Sequence, residues 1–373
     1  MKNFKFSLDA KFGQARAGII NTAHGSIKTP VFMPVGTVGS VKAVFPRDLL
    51  KINIEVILAN TYHLMLRPGE QLIQEVGGLQ NFMNWRKPIL TDSGGFQIWS
   101  LAKLREINEN GIDFSSHIDG KKYNLTPESS IKIQEKLNST ISMVLDECTE
   151  HPATFKRTRD SMELSIRWAE RSKKKFKVRK GYGLFGIIQG GMYEELRIFC
   201  SKELKNLEFD GYAIGGLSVG ENHNKMINIV ECTVDYLQDD KPRYLMGVGR
   251  PIDIIKSVER GIDMFDCVLP TRFGRNGRAF TSLGEINLRN SKYKYDLNPL
   301  DENIDCYASN NFSKSYIHHL TKSNEILSSM IISLHNIAFY KKMMEELRDS
   351  IINKTFNTTK EKYLEYHEHY QKT

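Results

Sequence analysis

The stretch GLFGIIQGGMYEELRIFCSKELKNLEFDGYAIGG, residues 183 to 216, holds the fold in miniature. It opens on a short apolar run, GLFGIIQG (183–190), that stops at Gln and Gly. EELRIFCSKELKNL follows, with its apolar residues at the i, i+3, i+4 spacing of one helix face. A second short run, GYAIGG (211–216), completes the unit. Strand, helix, strand in that order implies parallel pairing through a right-handed crossover.

Similar runs recur on both sides: PVFMPVG (30–36), EVILAN (55–60), PILTD (88–92), SMVLD (142–146), RYLMGVG (243–249) and DMFDCV (263–268). With the first two they make eight candidate strands. Amphipathic stretches such as RDSMELSIRWAERSKKKF and PIDIIKSVERG separate them. Eight such units match a (β/α)₈ TIM barrel, in which reactive residues sit on loops leaving the C-terminal strand ends. A doubly wound open sheet is the competing arrangement. Ahead of the first unit, KFSLDAKFGQARAGIINTAHGSIKTP reads as an antiparallel hairpin cap broken at Gly13, Gly18 and Gly25. After Val268 the pattern changes: residues 269 to 322 are polar, Asn-rich and irregular, and a helical pattern then runs through Leu327, Met330, Ile331, Leu334, Ala338 and Met344. We expect one elaborated domain over 1–373, with 269–340 as an irregular and helical subdomain.

The 373 residues are 40% hydrophobic and 26% charged, the balance of a soluble globular chain, and the net charge of +8 suits an anionic partner such as nucleic acid. The opening MKNFKFSLDA has no apolar core of signal-peptide length, and no run reaches that of a membrane span, so the cytoplasm is the expected compartment. Cys148, Cys200, Cys232, Cys267 and Cys306 form no C-x-x-C pair, which suits free thiols.

In a barrel, Asp92, Asp146, Gln189, Gly216, Met246, Gly249 and Asp266 converge on one mouth. Asp92 and Asp146 each have a second reading as helix caps, and Asp266 one as a salt-bridged strand end. Two acids flanking a reacting carbon are what glycosidic cleavage needs, one attacking the cationic sugar and the other moving protons on the departing group. Phe96 and Met246 could sandwich a flat ring, or simply fill core. Cys267, beside an inward Asp266, faces outward by strand alternation. Arg272, Arg275 and Arg278 leave the same strand end and could hold a polyanion or line a solvated loop.

TDSGGFQ (91–97), LDEC (145–148), GIIQGG (186–191), YAIGGLSVGE (212–221), YLMGVG (244–249) and FDCVLPTRFGRNG (265–277), in this order and spacing, resemble the bacterial tRNA-guanine transglycosylase family. The resemblance implies a (β/α)₈ enzyme that exchanges guanine at the tRNA wobble position for a 7-deazaguanine through a covalent enzyme-RNA intermediate, with no redox cofactor. It implies that Asp266 is the nucleophile and Asp92 the general acid/base. Asp146, Ser93, Gln189 and Gly216 would contact the base, and Phe96 and Met246 would stack on it. Glu221 would set the peptide at Leu217. Arg272 and Arg275 would read the anticodon loop, and Arg250 and Asn60 would line the RNA or ribose site. Cys148 and Val219 match the members that take the small base preQ1 rather than queuine. A non-catalytic tRNA-binding homologue is the rival reading.

The family also carries a structural zinc, held by C-x-C-x-x-C and a distant His, and associates as a homodimer partly through that region. Here the four positions hold Ile304, Cys306, Ser309 and His335. A zinc site wants four Cys or His donors, so no bound zinc is expected, and the altered region puts the dimer in question.

Overall fold

The computed structural model describes residues 4–102 and 104–370; the extreme ends of the 1–373 span, including the first three residues of MKNFKFSLDA, lie outside them. Eight parallel strands run around one axis in chain order: β4 (Val31–Pro34), β5 (Ile57–Ala59), β6 (Ile89–Thr91), β10 (Ile141–Met143), β11 (Gly183–Ile188), β12 (Gly211–Ile214), β13 (Arg243–Leu245) and β14 (Met264–Cys267). β14 pairs with β4 from Met264↔Val31 to Cys267↔Pro34, and a parallel bridge Val35↔Leu58 joins β4 to β5, so the sheet closes on itself. The arrangement is the barrel read from the sequence, and the open doubly wound sheet is excluded. All eight candidate strands are present, each shorter than its apolar run, because the residues past the last ladder bond turn into the mouth. A glycine makes room where strands crowd: a Cβ on Gly211 would lie 2.4 Å from the Phe185 ring of the neighbouring strand.

The N-terminal end of the barrel is covered by β1 (Lys5–Phe12), β2 (Ala15–Thr22) and β3 (Gly25–Thr29), an antiparallel sheet of three strands rather than the two of a simple hairpin. Arg16 of β2 reaches Asp263, just before β14, at 2.7 Å with both side chains fully buried. That pair pins the cap to the end opposite the mouth.

Two segments depart from the sequence reading. Between β6 and β10 lies a second antiparallel sheet, β7 (Arg105–Asn108), β8 (Gly111–Ser115) and β9 (Lys122–Leu125), which the apolar pattern did not announce. The region read as irregular, 269–322, contains a helix Leu269–Arg275, a hairpin of β15 (Arg278–Thr281) and β16 (Gly284–Asn287), and helices Tyr307–Asn311 and Lys314–Lys322. These elements are too short to show periodicity and are ordered by the long helix Ile326–Ile352. Its buried Asn336 accepts from Phe280 N at 2.9 Å and donates to Pro270 O at 2.9 Å and Arg278 O at 3.0 Å. Phe273 and Phe280 stack beside it, with ring centroids 5.1 Å apart.

Candidate active site

A cavity of about 500 Å³ opens at the C-terminal mouth, walled by residues just past the ends of all eight strands, from Val35 after β4 to Asp266 on β14. A groove of about 610 Å³ lies elsewhere, between the long C-terminal helix and the start of β4, lined by charges of both signs such as Lys28, Lys341, Glu345 and Arg348. The mouth holds the convergent acids, so the chemistry belongs there.

Asp266 and Asp92 face this cavity in different settings. Asp266 accepts from Tyr244 OH at 2.6 Å and from Gly247 N at 2.8 Å, both on Oδ1. Among the described residues its Oδ2 has no hydrogen-bond donor, which leaves one oxygen open toward a substrate. Burial pushes its pKa up, and the two donors oppose that. Tyr244 is buried and its own pKa is driven well above the usual value by that burial and then by the Asp266 charge, so it stays a proton donor. Asp92 is 6% exposed. Asn60 donates to its Oδ2 at 2.5 Å and Thr61 N to its Oδ1 at 2.9 Å. Burial dominates these bonds, the charge on Asp266 adds to it, and the Asp92 pKa rises to about 6. Two carboxylates thus share one cavity, with one poised to exchange a proton near neutrality.

Asp146 forms the next wall, 8% exposed. Ser93 Oγ donates to its Oδ1 at 3.0 Å and Gln189 Nε2 to its Oδ2 at 2.7 Å. Gln189 rests against Gly216, where a Cβ would lie 2.5 Å from its Oε1; with φ at +66°, that position has no room for a side chain. Leu217 and Val219 continue this wall. Glu221 accepts the backbone N–H groups of Ser218 and, at 2.9 Å, of Val219. Because a trans peptide points its C=O opposite to its N–H, the Leu217 carbonyl is turned away from Glu221. Cys148 is buried at the cavity wall, and burial, with the Asp146 charge second, pushes its thiol to about 12, so it stays protonated at neutral pH. Phe96 and Met246 both line the cavity; Phe96 is half exposed and packs on Trp99 with centroids 5.6 Å apart.

Comparison with known proteins identifies the family to which this site belongs. The family model described as Queuine tRNA-ribosyltransferase matches residues 10–369. The chain belongs to that family. The Queuine tRNA-ribosyltransferase of Rickettsia bellii (strain OSU 85-389) is 53% identical over 360 residues, 96% of this chain and 100% of the relative. That of Rickettsia rickettsii (strain Sheila Smith) is 55% identical over 348 residues, 93% of this chain and 96% of the relative. The chain is accordingly a pentosyltransferase of tRNA modification, as the sequence motifs implied.

Against the family expectation, the basic residues divide. Arg272 reaches the cavity wall. Arg275 folds back along its own helix, Nε donating to Thr271 O at 3.1 Å. Arg250 lies 3.3 Å from Glu285 on β16 and 5.5 Å from the Phe273 ring, and does not line the cavity. Asn60 lines it but is spent on Asp92. Sequence reasoning missed Tyr244, Thr61 and Gly247. Tyr244 was within reach: it lies two residues before Met246, hence on the same strand face.

At the positions of the family's zinc ligands, the residues present do not fit the metal. Ile304 is buried among apolar neighbours. Cys306 Sγ lies 3.5 Å from Ser309 Oγ, Ser309 Oγ 2.7 Å from His335 Nδ1, and His335 Nε2 2.8 Å from Phe280 O. Nε2 must donate to that carbonyl, which makes Nδ1 the acceptor of the Ser309 hydroxyl. Both ring nitrogens are therefore occupied, and burial pulls the imidazole pKa down to about 4. Among the described residues no group of three His, Cys, Asp or Glu side chains could hold a metal ion.

Proposed function

We propose that the protein exchanges the guanine at the wobble position of a tRNA anticodon for the 7-deazaguanine preQ1, with Asp266 as nucleophile and Asp92 as general acid and base. The observation that carries this reading is the asymmetry of the two acids: Asp266 has one oxygen anchored by two donors and the other open, while Asp92 has a pKa of about 6. In the first half, Asp266 Oδ2 bonds to ribose C1′ as the C1′–N9 bond breaks, and protonated Asp92 gives its proton to the departing guanine. In the second half, ionised Asp92 takes the N9 proton of the incoming base. N9 then bonds to C1′, and the ester to Asp266 breaks. Two displacements at one carbon retain its configuration, and because the ester keeps the carbon activated, no nucleoside triphosphate is consumed.

Asp146, Ser93, Gln189 and Gly216 supply acceptors and donors for the base edge, and Phe96 and Met246 its faces. The Leu217 carbonyl, turned away from Glu221, suits the cationic aminomethyl group of preQ1 as an acceptor. Buried Cys148 and the nearby Val219 limit the room for a bulkier 7-substituent, and a methylene-sized mismatch there is worth about 1–3 kcal/mol. Arg272 is the candidate for the first anticodon phosphate or base beside the cavity, with Arg275, Arg250 and Asn60 in supporting places. The subdomain holds through the Cys306–Ser309–His335 chain of hydrogen bonds without zinc. The tRNA substrate assigns the reaction to the cytoplasm; no helix of the described residues is long and apolar enough to cross a membrane. In support of a homodimer, a groove of about 430 Å³ lined by exposed Phe45 and Tyr307, with Met330 and Leu334 and the charged Arg47, Asp48 and Lys51, offers a surface for a second copy, and light scattering at micromolar concentration tests it.

The test of the reaction is incorporation of radiolabelled guanine into unmodified tRNA, followed by chase with preQ1 or queuine. Displacement of the label by preQ1 and not by queuine is expected. Absence of incorporation overturns the assignment, and equal displacement overturns the choice of base.

A further inference from the structure

Behind the Gln189 and Gly216 wall lies Arg197, on the helix Glu194–Asn206, with no exposed surface. Its Nη1 donates to Ile188 O at 2.8 Å and to Gly215 O at 2.8 Å, and its Nε to Gly191 O at 2.9 Å. These carbonyls belong to the ends of β11 and β12. Two of them lie in the peptides that lead directly into Gln189 and Gly216. Nη2 has no partner although fully buried, and a Cβ on Gly216 would lie 3.7 Å from it. Burial pulls the guanidinium pKa down to about 10, so it remains a cation at neutral pH.

Burying a cation with an unsatisfied donor is costly, and three backbone carbonyls replace only part of the water it loses. We propose that Arg197 is a positioning residue for base exchange, fixing the Gly215–Gly216 peptide so that its N–H faces the bound base and setting a positive charge behind that N–H. A donor on the Gly215 carbonyl holds the peptide plane, and the N–H of the same trans peptide points the other way, into the cavity that Gly216 lines. Hydrogen-bonding the carbonyl polarises the amide and makes its N–H a stronger donor. The group that gains is an electron-rich base edge, most of all the departing base, which carries off the electron pair of the C1′–N9 bond before Asp92 has fully protonated it. The contact with Ile188 O likewise holds the strand end from which Gln189 reaches Asp146.

The inference rests on the proposed function, and the two can fail separately. Steady-state exchange with labelled guanine is measured for wild type, R197M and R197K, together with tRNA affinity by gel shift and thermal unfolding. One hydrogen bond from a charged group is worth about tenfold or somewhat more. R197K, which keeps the charge but can serve fewer carbonyls, is expected to raise KM for the base about tenfold, and R197M about a hundredfold with a fall in kcat. The tRNA affinity of both should stay within about twofold of wild type. A purely structural role would instead lower the melting temperature and the active fraction, leaving KM for the base unchanged in the protein that remains folded. Wild-type base KM in R197K or R197M, with folding intact, overturns the inference; if R197M does not fold, R197K alone decides it. No exchange by wild type overturns the functional reading instead.

Discussion

Replacing Asp92 by an asparagine should change the pH dependence of stability in a direction fixed by the cavity. Asp92 has its pKa raised on folding from 3.8 to about 6, chiefly because it is taken out of water. A carboxyl with that shift favours the folded state while it is protonated. Its contribution is fully present below about pH 3.8 and is lost as the pH rises through about 6. A shift of about two units amounts to about 3 kcal/mol between the two limits, of which about 2 kcal/mol is lost between pH 4.5 and pH 7.5. The amide of the D92N variant does not ionise and loses nothing. Whatever constant offset arises from rearranging the Asn60 and Thr61 bonds, the stability of D92N relative to wild type should therefore climb by about 2 kcal/mol from pH 4.5 to pH 7.5. Parallel urea unfolding of both proteins at the two pH values, followed by far-UV circular dichroism, reads this difference directly, with groups common to both cancelling. A difference that stays flat with pH, or that falls, would refute the claim that burial outweighs the hydrogen bonds at Asp92. With it would go the basis for assigning that residue the proton transfers.

Tyr244→Phe removes one of the two donors on Asp266 Oδ1. It should lower kcat about tenfold and move the acidic limb of the pH–rate profile upward, while tRNA affinity by gel shift is retained. Gly216→Ala puts a Cβ 2.5 Å from Gln189 Oε1 at a φ of +66°; base KM should rise tenfold or more in steady-state exchange, alongside a stability loss of about 1–2 kcal/mol from the left-handed backbone, read by urea unfolding. Elemental analysis of purified protein should find well below one zinc per chain, and excess chelator should leave the melting temperature unmoved. A lost structural zinc would be worth on the order of 10 kcal/mol to the subdomain, so a large drop under chelation would show the metal-free reading to be mistaken. Ile304→Cys with Ser309→Cys should in turn create a zinc-binding variant.

Much of the fold was legible because a barrel strand buried on both faces is written as a short apolar run, and because each run here carries a cavity-lining residue at or near its end, although Gly249, expected at the mouth, packs against Cys267 instead. Asp92, Asp146, Gln189 and Asp266 were readable for that reason. The β7–β8–β9 sheet was not: REIN, GIDFS and KYNL are short and half-exposed, and they gain order only by packing on residues such as Tyr62, whose ring lies 5.6 Å from that of Phe114. The same holds for the hairpin β15–β16, which depends on Asn336 some 56 positions further along the chain. Arg250 looked free in the sequence because its partner Glu285 stands on that unforeseen hairpin. Arg197 reads as one polar residue on an amphipathic helix. Only the closure of β11 against β12 brings the carbonyls of Ile188 and Gly215 together around it.

The central claim is a bond between Asp266 and the ribose, and trapping that bond tests it most directly. Wild-type protein incubated with unmodified tRNA, then denatured and run on a gel, should show a band in which RNA and protein travel together and which added preQ1 discharges. Asp266→Asn should bind the tRNA by gel shift and give no such band. A denaturation-resistant adduct of equal yield in Asp266→Asn would contradict the account and place the nucleophile on another residue.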